Sequence, residues 1–320
     1  MKENYHMALI TVTNNPVKPA LRILLQDKTT KKNIIFATDA YEDIGYFATT
    51  EILPERIVNM ELLPRVEKEL IHQQARTRAK AEVFTPSWVC NKMNNHCDEE
   101  WFGRPDAFNK EDGEAWITNP DPVDFGEMSW KDYVDSRRIE ITCGEAPYLV
   151  SRYDTTTGAI IPLADRIGIL DRKLRIVNEN TTDDKEWLKW IERAFQSVYG
   201  YEFQGDNLLI ARINLLNTYN DYYMDRIGSE PTNTELRRIA NIIAWNIWQM
   251  DGLTGTIPFM KAEEEFTNFT LYDYGIEMPN EDEASAMVEH EVQTENEAPV
   301  CRIFDWRSNE SVKFTDLKKG

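Results

Sequence analysis

The sequence predicts an α/β protein, in which strands and helices alternate along the middle of the chain. One strand-like run at residues 138–144 ends in a glycine, and another at residues 197–202 ends in an acid. Apolar residues at helical spacing lie between these runs and after them. This alternation is typical of a parallel sheet with helices on its faces. The chain has 320 residues, of which 42% are hydrophobic, so it is long enough to bury a large core.

The elements before the first of these runs are less regular. Residues 6–12 alternate like a strand, and residues 33–38 form a second apolar run. Residues 64–80 are predicted to form a helix in which five basic residues outnumber two acids. A helical spacing restarts at residues 87–93. Residues 97–130 are rich in Asp, Asn, Pro and Trp, and are predicted to be an irregular insertion.

The middle and the end of the chain give clearer patterns. A helix with an apolar stripe is predicted at residues 182–195, and an amphipathic helix follows at residues 207–216. Residues 235–240 are predicted to be helical, and residues 241–245 form a short buried run. The last predicted elements are a disordered acidic tether and a pair of strands with a turn between them. These lie at residues 275–298 for the tether and at residues 300–306 and 311–314 for the strands.

These elements divide the chain into four predicted parts. Residues 1–80 form an N-terminal region with a basic helix, and residues 81–260 form the α/β core. Residues 261–298 form an acidic linker, because this stretch contains almost no basic residue. Residues 299–320 form a C-terminal β-hairpin.

The net charge of −19 is concentrated in one segment. No basic residue lies between Lys261 and Arg302, and twelve acids do, which leaves −7 for the rest of the chain. A protein that binds nucleic acid normally carries a basic surface. Contact with DNA is therefore expected to be local, to depend on a partner, or to be absent.

Apolar runs and cysteines restrict the class of protein further. No apolar run approaches the roughly 20 residues that span a bilayer, and the first residues do not resemble a signal peptide. Four unevenly spaced cysteines do not suggest a disulfide framework. We therefore expect a cytoplasmic protein with no membrane partner.

Two small constellations contain reactive residue types in unfavourable patterns. The first contains zinc-ligand residues, namely His72, Cys90, His96 and Cys97. Its adjacent histidine and cysteine rarely ligate one ion, so no metal is predicted. The second, Asp165, Asp171 and Lys173, matches the carboxylate pair and lysine of a nuclease. Chains of this length often contain such a pattern by accident.

One series of motifs has order as well as content. In chain order it comprises Glu-Val-Phe-Thr-Pro at 82–86, Glu-Ile-Thr-Cys-Gly-Glu-Ala-Pro-Tyr-Leu at 140–149, Tyr-Gly-Tyr-Glu at 199–202, Ala-Arg-Ile-Asn-Leu-Leu at 211–216 and Ile-Ile-Ala-Trp-Asn-Ile-Trp-Gln at 242–249. In a parallel sheet, ligands bind at the carboxyl ends of the strands, and an acid about one βαβ unit on binds ribose hydroxyls. Gly144 would let the backbone approach a cofactor, and Glu202 would bind the ribose.

This order resembles the gamma-class adenine-specific DNA methyltransferases, which are the modification subunits of restriction systems. More closely, the whole chain resembles the short proteins that are labelled restriction endonuclease subunit M. In that family a Phe-Thr-Pro segment precedes an S-adenosylmethionine loop of the D-P-x-C-G-x-G-x-F-L kind. A strand ending in Glu and an A-R-x-N-L-L helix then lead to a catalytic N-P-P-[YF]. The resemblance implies a Rossmann-like methyltransferase core that uses S-adenosylmethionine, with DNA and a specificity or restriction subunit as partners.

The resemblance also implies three groups of site residues. The cofactor group is Phe84, Thr85, Pro86, Glu140, Cys143, Gly144 and Glu202. The catalytic group is Asn246, Ile247 and Trp248, in which the amide and the next carbonyl accept hydrogen bonds from the adenine amine and the aromatic ring stacks on the flipped base. The basic stretch before Phe-Thr-Pro is expected to contact DNA phosphates through Arg76, Arg78 and Lys80.

The chain departs from the family pattern at several positions. Ala146 replaces the second loop glycine, and Ile-Trp-Gln replaces the two prolines and the aromatic residue after Asn246. About 70 residues follow Gln249, which is short for the remaining strands, so the resemblance allows an incomplete core. Three functions stay open. They are a DNA adenine N6-methyltransferase, a catalytically degenerate subunit that binds DNA or a partner, and an acidic DNA mimic or anti-restriction protein.

Overall fold

A computed structural model of the protein describes residues 9–60, 62–68, 85–259 and 298–319. The helices are α1 (Leu21–Leu24), α2 (Pro54–Ile57), α3 (Ser87–Phe102), α4 (Trp130–Asp135), α5 (Ile169–Asn180), α6 (Asp184–Gln196), α7 (Gly205–Ile227) and α8 (Asn233–Asn246). The strands are β1 (Asn109–Asp112), β2 (Ala115–Thr118), β3 (Arg138–Glu140), β4 (Val198–Glu202), β5 (Ile247–Gln249), β6 (Arg302–Asp305) and β7 (Glu310–Lys313). Short 3-10 turns lie at Lys18–Ala20, Glu42–Ile44, Arg65–Glu67, Leu163–Asp165 and Phe314–Lys319.

The central sheet contains three parallel strands in the order β3-β4-β5. Arg138 pairs with Val198 in the first ladder, and Gly200 pairs with Ile247 in the second. Helices α5 and α6 connect β3 to β4, and α7 and α8 connect β4 to β5. Parallel neighbours need crossover connections of this kind. The predicted α/β class is therefore confirmed at this coarse level.

Local signals explain where the long helices begin and end. The side chain of Asp183 accepts a hydrogen bond from the Glu186 amide at the start of α6. Thr232 and Glu235 form a reciprocal capping box at the start of α8. Helix α7 ends at Ile227 and is capped by Gly228, whose φ of 75° suits a residue without a Cβ. The predicted helices at these places are confirmed.

The two faces of the sheet pack against different parts of the chain. On one face, Val198 and Ile247 belong to a core that also contains Phe36 and helices α5–α8. On the other face, Trp248 packs with residues of the hairpin β6–β7, including Ile303. Strand alternation places successive side chains on opposite faces, which is why one short sheet joins both clusters. The predicted C-terminal hairpin is confirmed.

Three predicted elements differ in the structure. Residues 241–245 are not a separate run, because α8 continues through them to Asn246. A short apolar run is compatible with helix or strand, and here Ile242, Ile243 and Ala244 are packed in the core as part of α8. The predicted irregular insertion contains the end of α3 and the antiparallel hairpin β1–β2. No strand occurs at residues 9–12, and the rest of that predicted strand lies outside the described residues.

In the described ranges, no helix has the length and apolar character required to cross a membrane.

Candidate functional site

Two buried carboxylates mark the carboxyl ends of β3 and β4. Glu202 Oε2 accepts a hydrogen bond from the Gly144 amide at 2.9 Å, and its Oε1 accepts one from the Gln204 amide at 3.1 Å. The Glu140 carboxylate accepts hydrogen bonds from the amides of Tyr148 at 3.4 Å and Leu149 at 3.2 Å. Glu140 is 8% exposed and Glu202 is 7% exposed. Both carboxylates therefore hold the loop that follows β3.

The backbone of that loop, residues 141–149, alternates in handedness. Thr142, Gly144 and Ala146 have φ angles of 50°, 54° and 65°. A left-handed conformation is unfavourable for threonine and alanine, and it persists where the surroundings determine it. The Cys143 amide donates to the Tyr201 carbonyl at 2.8 Å, which continues the pairing of β3 with β4. The loop thus has one defined shape at the sheet edge.

Burial also determines the protonation states of Glu140 and Cys143 at the carboxyl ends of the strands. Desolvation raises the pKa of Glu140 well above its usual range, and the charge of Glu202 raises it further. Desolvation likewise raises the pKa of the Cys143 thiol, with Glu140 and Glu202 adding to the shift. Cys143 therefore stays a protonated thiol at neutral pH and is not a nucleophile.

The segment before α3 joins the same edge. The Thr85 carbonyl accepts a hydrogen bond from the Thr155 hydroxyl at 3.1 Å, and Thr85 also contacts the Tyr148 hydroxyl. Pro86 is the N-cap residue of α3 and offers no capping side chain. Instead, Asp154 Oδ2 accepts from the Ser87 amide at 2.7 Å. The structure therefore brings Thr85 and Pro86 close to the loop after β3.

Asn246 lies at the opposite end of the sheet, where the strands begin. It is the last residue of α8 and precedes β5, so it stands at the amino end of that strand. Its Nδ2 donates to the carbonyls of Phe195 and Val198, both at 3.0 Å. Its Oδ1 accepts from Trp306 Nε1 at 2.8 Å. The sequence predicts a short buried run before Asn246, and in the structure this run is the last part of α8.

The other two predicted catalytic residues are buried. Ile247 is fully buried, and its carbonyl accepts a hydrogen bond from Arg212 Nε at 2.7 Å. Trp248 is 2% exposed, and its ring contacts Tyr201 and Phe314. A base cannot stack on a ring that the protein already covers. The structure thus brings together the predicted cofactor residues that it describes, and it separates the predicted catalytic residues from them.

The A-R-x-N-L-L segment has a structural role in α7. Arg212 donates to four backbone carbonyls, those of Leu24, Gln26, Ala244 and Ile247. Asn214 Nδ2 donates to the Glu145 carbonyl at 3.2 Å and to the Tyr153 hydroxyl at 3.1 Å. Arg212 thus connects β5 to α1, and Asn214 holds the loop after β3. Both residues therefore support the carboxyl ends of the strands from within the core and are not part of the surface there.

Two residues at the carboxyl end of β5, Gln249 and Asp251, were not among the predicted site residues. Gln249 Nε2 donates to the Ile35 carbonyl at 2.8 Å, and its Oε1 accepts from the Ile35 amide at 2.9 Å. This pair fastens the N-terminal region over the carboxyl end of β5. Asp251 follows at the same edge, where Oδ1 accepts from the Leu253 amide at 2.9 Å. The sequence offered one signal for Asp251, which is an acid two residues after the end of a strand. No local sequence signal indicates that Gln249 pairs with Ile35.

Several predicted residues lie outside the described residues. These are Phe84, Arg76, Arg78 and Lys80. The nearest described residues of the basic stretch contact the acids beside the sheet edge. The Arg65 amide donates to Glu145 Oε1 at 2.7 Å, and the Lys68 ammonium lies 3.3 Å from Asp206 Oδ2.

The two alternative constellations do not converge on one site. Over the part of the chain that the structure describes, no group of three or more potential ligands is placed to hold a metal ion. Asp165 accepts a hydrogen bond from the Thr118 hydroxyl, whereas Asp171 accepts from the Ser151 amide. The Lys173 ammonium donates to Ser197 Oγ and to backbone carbonyls. Each of the three serves a different part of the scaffold.

Replacing Glu140 with glutamine is expected to flatten the pH dependence of stability. Because its pKa is raised in the folded state, Glu140 holds a proton that the unfolded chain releases near the ordinary glutamate value of about 4.3. Its contribution to stability is thus present in acid and is lost as the pH rises through the folded pKa. Urea denaturation between about pH 4.5 and 8 should show a steeper loss for the native protein than for Glu140→Gln. The exposed Glu114→Gln is the control, and equal slopes for native protein and Glu140→Gln would contradict the expectation.

No protein-family model, no curated protein and no solved structure matches this chain.

Proposed function

We propose that the carboxyl edge of the β3-β4-β5 sheet binds S-adenosylmethionine. The observation that carries this proposal is the convergence of Thr85, Gly144 and Glu202, which are far apart in the sequence, around the loop after β3. Ligands of open parallel sheets bind at this end of the strands. The order of the motifs along the chain, which resembles the adenine methyltransferases, supports the same ligand.

The residues present fit an adenosine group. A carboxylate has two oxygens and about four acceptor positions. The amides of Gly144 and Gln204 hold Glu202 in one orientation, so ribose hydroxyls would meet an acceptor that is already in place. Gly144 would bring backbone close to the ligand without a Cβ. The bound cofactor would supply the methyl sulfonium group, and the residues of this edge would bind and orient it.

The geometry favours the catalytically degenerate subunit over the active adenine N6-methyltransferase. Methylation of an exocyclic amine needs acceptors beside the cofactor. Asn246 is at the other end of the sheet, and its amide bonds to Phe195, Val198 and Trp306. We therefore propose a methyltransferase-like chain that binds the cofactor and acts with DNA or a partner subunit.

Replacing Glu202 with glutamine should weaken the binding of S-adenosylmethionine. Loss of a charged acceptor costs about 1.5–3 kcal/mol, which corresponds to about 10- to 100-fold in Kd. Calorimetric titration of the native protein and of Glu202→Gln measures this difference. Thermal unfolding of the variant shows separately whether the loop after β3 has loosened. Glu114→Gln is the matched control, since Glu114 is exposed in the turn between β1 and β2. Absence of binding by the native protein would contradict the proposal.

A further inference from the structure

A strip of three aromatic rings lies at the amino edge of the central sheet, opposite the proposed cofactor edge. Trp245 and Phe304 have ring centroids 5.3 Å apart, and Phe304 and Trp306 have centroids 4.5 Å apart. Trp245 lies at the end of α8, and the other two rings belong to β6 and the residue after it. All three are half-buried and therefore keep some of their surface in contact with solvent. We call these three residues the amino-edge strip.

Cations cluster at the Trp245 end of the strip. The ammonium groups of Lys28 and Lys31 lie 5.7 and 5.4 Å from the centroid of the Trp245 ring. The Arg302 amide donates to Thr29 Oγ1 at 2.9 Å, which fixes the lysine-bearing loop against β6. Burial lowers the pKa of Lys28 to about 7, and the charges of Lys31 and Arg212 add to the shift. The two lysines therefore lie close enough to repel each other beside Trp245, and a bound anion would reduce this repulsion.

Three arginines surround a small cleft at the Trp306 end. Its cavity measures ≈ 10 Å³, and Arg137, Arg193 and Arg307 line it together with Trp306. Two acids lie among them. Asp305 Oδ1 is 2.7 Å from Arg137 Nη2, and Asp135 bridges Arg193 and Arg307. Three guanidinium groups against two carboxylates leave an excess of positive charge.

The strip therefore combines stacking surfaces with flanking cations. Beside the strip lie Lys31, Arg302 and the three arginines of the cleft, which are five cations against the three acids Asp27, Asp135 and Asp305. This balance contrasts with the net charge of −19 of the whole chain. Single-stranded nucleic acids bind surfaces of this kind, because unpaired bases stack on aromatic rings while cations contact the phosphates. A duplex keeps its bases paired and stacked, so it would use only the cations.

We propose that the amino-edge strip binds single-stranded nucleic acid, with bases stacked on its rings and phosphates held by Lys31 and Arg302 at one end and by Arg137 and Arg307 at the other. This surface is separate from the cofactor edge. Its function does not require S-adenosylmethionine, so the two proposals can fail independently.

The test uses the full chain and a labelled oligothymidylate of about 20 nucleotides. Fluorescence anisotropy at low salt should show binding, and tryptophan emission should be quenched as bases stack. A duplex of the same length should bind at least tenfold more weakly and with little quenching. Heparin serves as a polyanion without bases. The proposal would be overturned if heparin and the oligothymidylate bound with equal affinity and neither quenched the tryptophan emission. It would also be overturned if the oligothymidylate did not bind.

Two double variants distinguish binding at the amino-edge strip from nonspecific attraction by positive charge elsewhere on the surface. The double variant Lys31→Gln with Arg307→Gln should weaken binding about tenfold and should reduce the salt slope by about 1.4, which is two phosphate contacts at about 0.7 each. The control pair is Lys92→Gln with Lys110→Gln, because both lysines are exposed on α3 and β1. Equal losses in the two pairs would overturn the proposal. If the double variant Lys31→Gln with Arg307→Gln fails to fold, the tryptophan quenching and the salt dependence of binding by the native protein test the proposal. Affinity that does not change with salt would overturn the proposal.

Discussion

Replacing Arg212 with methionine is expected to lower the free energy of unfolding by about 3–5 kcal/mol. Arg212 is fully buried, and it donates to carbonyls near the ends of α1 and α8 and to the first residue of β5. The carbonyls of Leu24 and Ala244 lie in the last turns of their helices, where the helix itself supplies no further N–H donor, so the guanidinium satisfies acceptors that are buried at those helix ends. Burial lowers the pKa of Arg212 to about 10, and the group remains charged at neutral pH.

Urea denaturation of Arg212→Met measures this loss, because the slope and midpoint give the free energy directly. The matched control is Arg237→Met, since Arg237 is exposed on α8 and donates to a single carbonyl, that of Pro19. The control should stay within about 0.5 kcal/mol of the native protein. A similar small effect for Arg212→Met would show that the four hydrogen bonds do not hold the sheet to the N-terminal region.

Replacing Asn246 with alanine is expected to destabilise the protein by about 2–4 kcal/mol. The change leaves the Phe195 and Val198 carbonyls and the Trp306 indole without their partner. All of these groups lie where β4, β5 and the C-terminal hairpin meet, so the loss should reach both faces of the sheet. Asn233→Ala is the control, because Asn233 is exposed in the first turn of α8.

The same variant distinguishes a structural Asn246 from a catalytic one. The structure predicts lower stability, with binding of S-adenosylmethionine retained in whatever fraction remains folded. Denaturation, calorimetric titration and a methyl-transfer assay on adenine-containing duplexes measure these properties side by side. Unchanged stability combined with loss of methyl transfer would restore the catalytic role that the sequence resemblance implied for Asn246.

The two ends of the central sheet differ in chemistry. The carboxyl edge contains buried acids that hold a shaped loop, around Glu140 and Glu202. The amino edge contains half-buried aromatic rings between clusters of cations. In a parallel sheet every strand points its carboxyl end in the same direction, so the loops that follow the strands and the segments that precede them lie at opposite ends of the sheet. A sheet of three short strands can therefore present two separate ligand surfaces.

The sequence by itself determined the local structure of the core. Alternation and helical spacing identified β3, β4, α6, α7 and the C-terminal hairpin, and the terminal positions of Gly144 and Glu202 predicted that they would meet. These features depend on residues within a few positions of one another, or on the rule that parallel strands share an edge.

Only the tertiary structure decided on which side of the sheet Asn246 lies. The apolar residues before it are compatible with helix or strand, and packing of α8 against α7 and the N-terminal region selects helix. Helix α8 therefore brings Asn246 to the amino end of β5, away from the carboxyl ends of β3 and β4. The bond between Gln249 and Ile35 and the four bonds of Arg212 likewise join residues far apart in the chain. No local pattern encodes such partners, because they meet only when the core has closed.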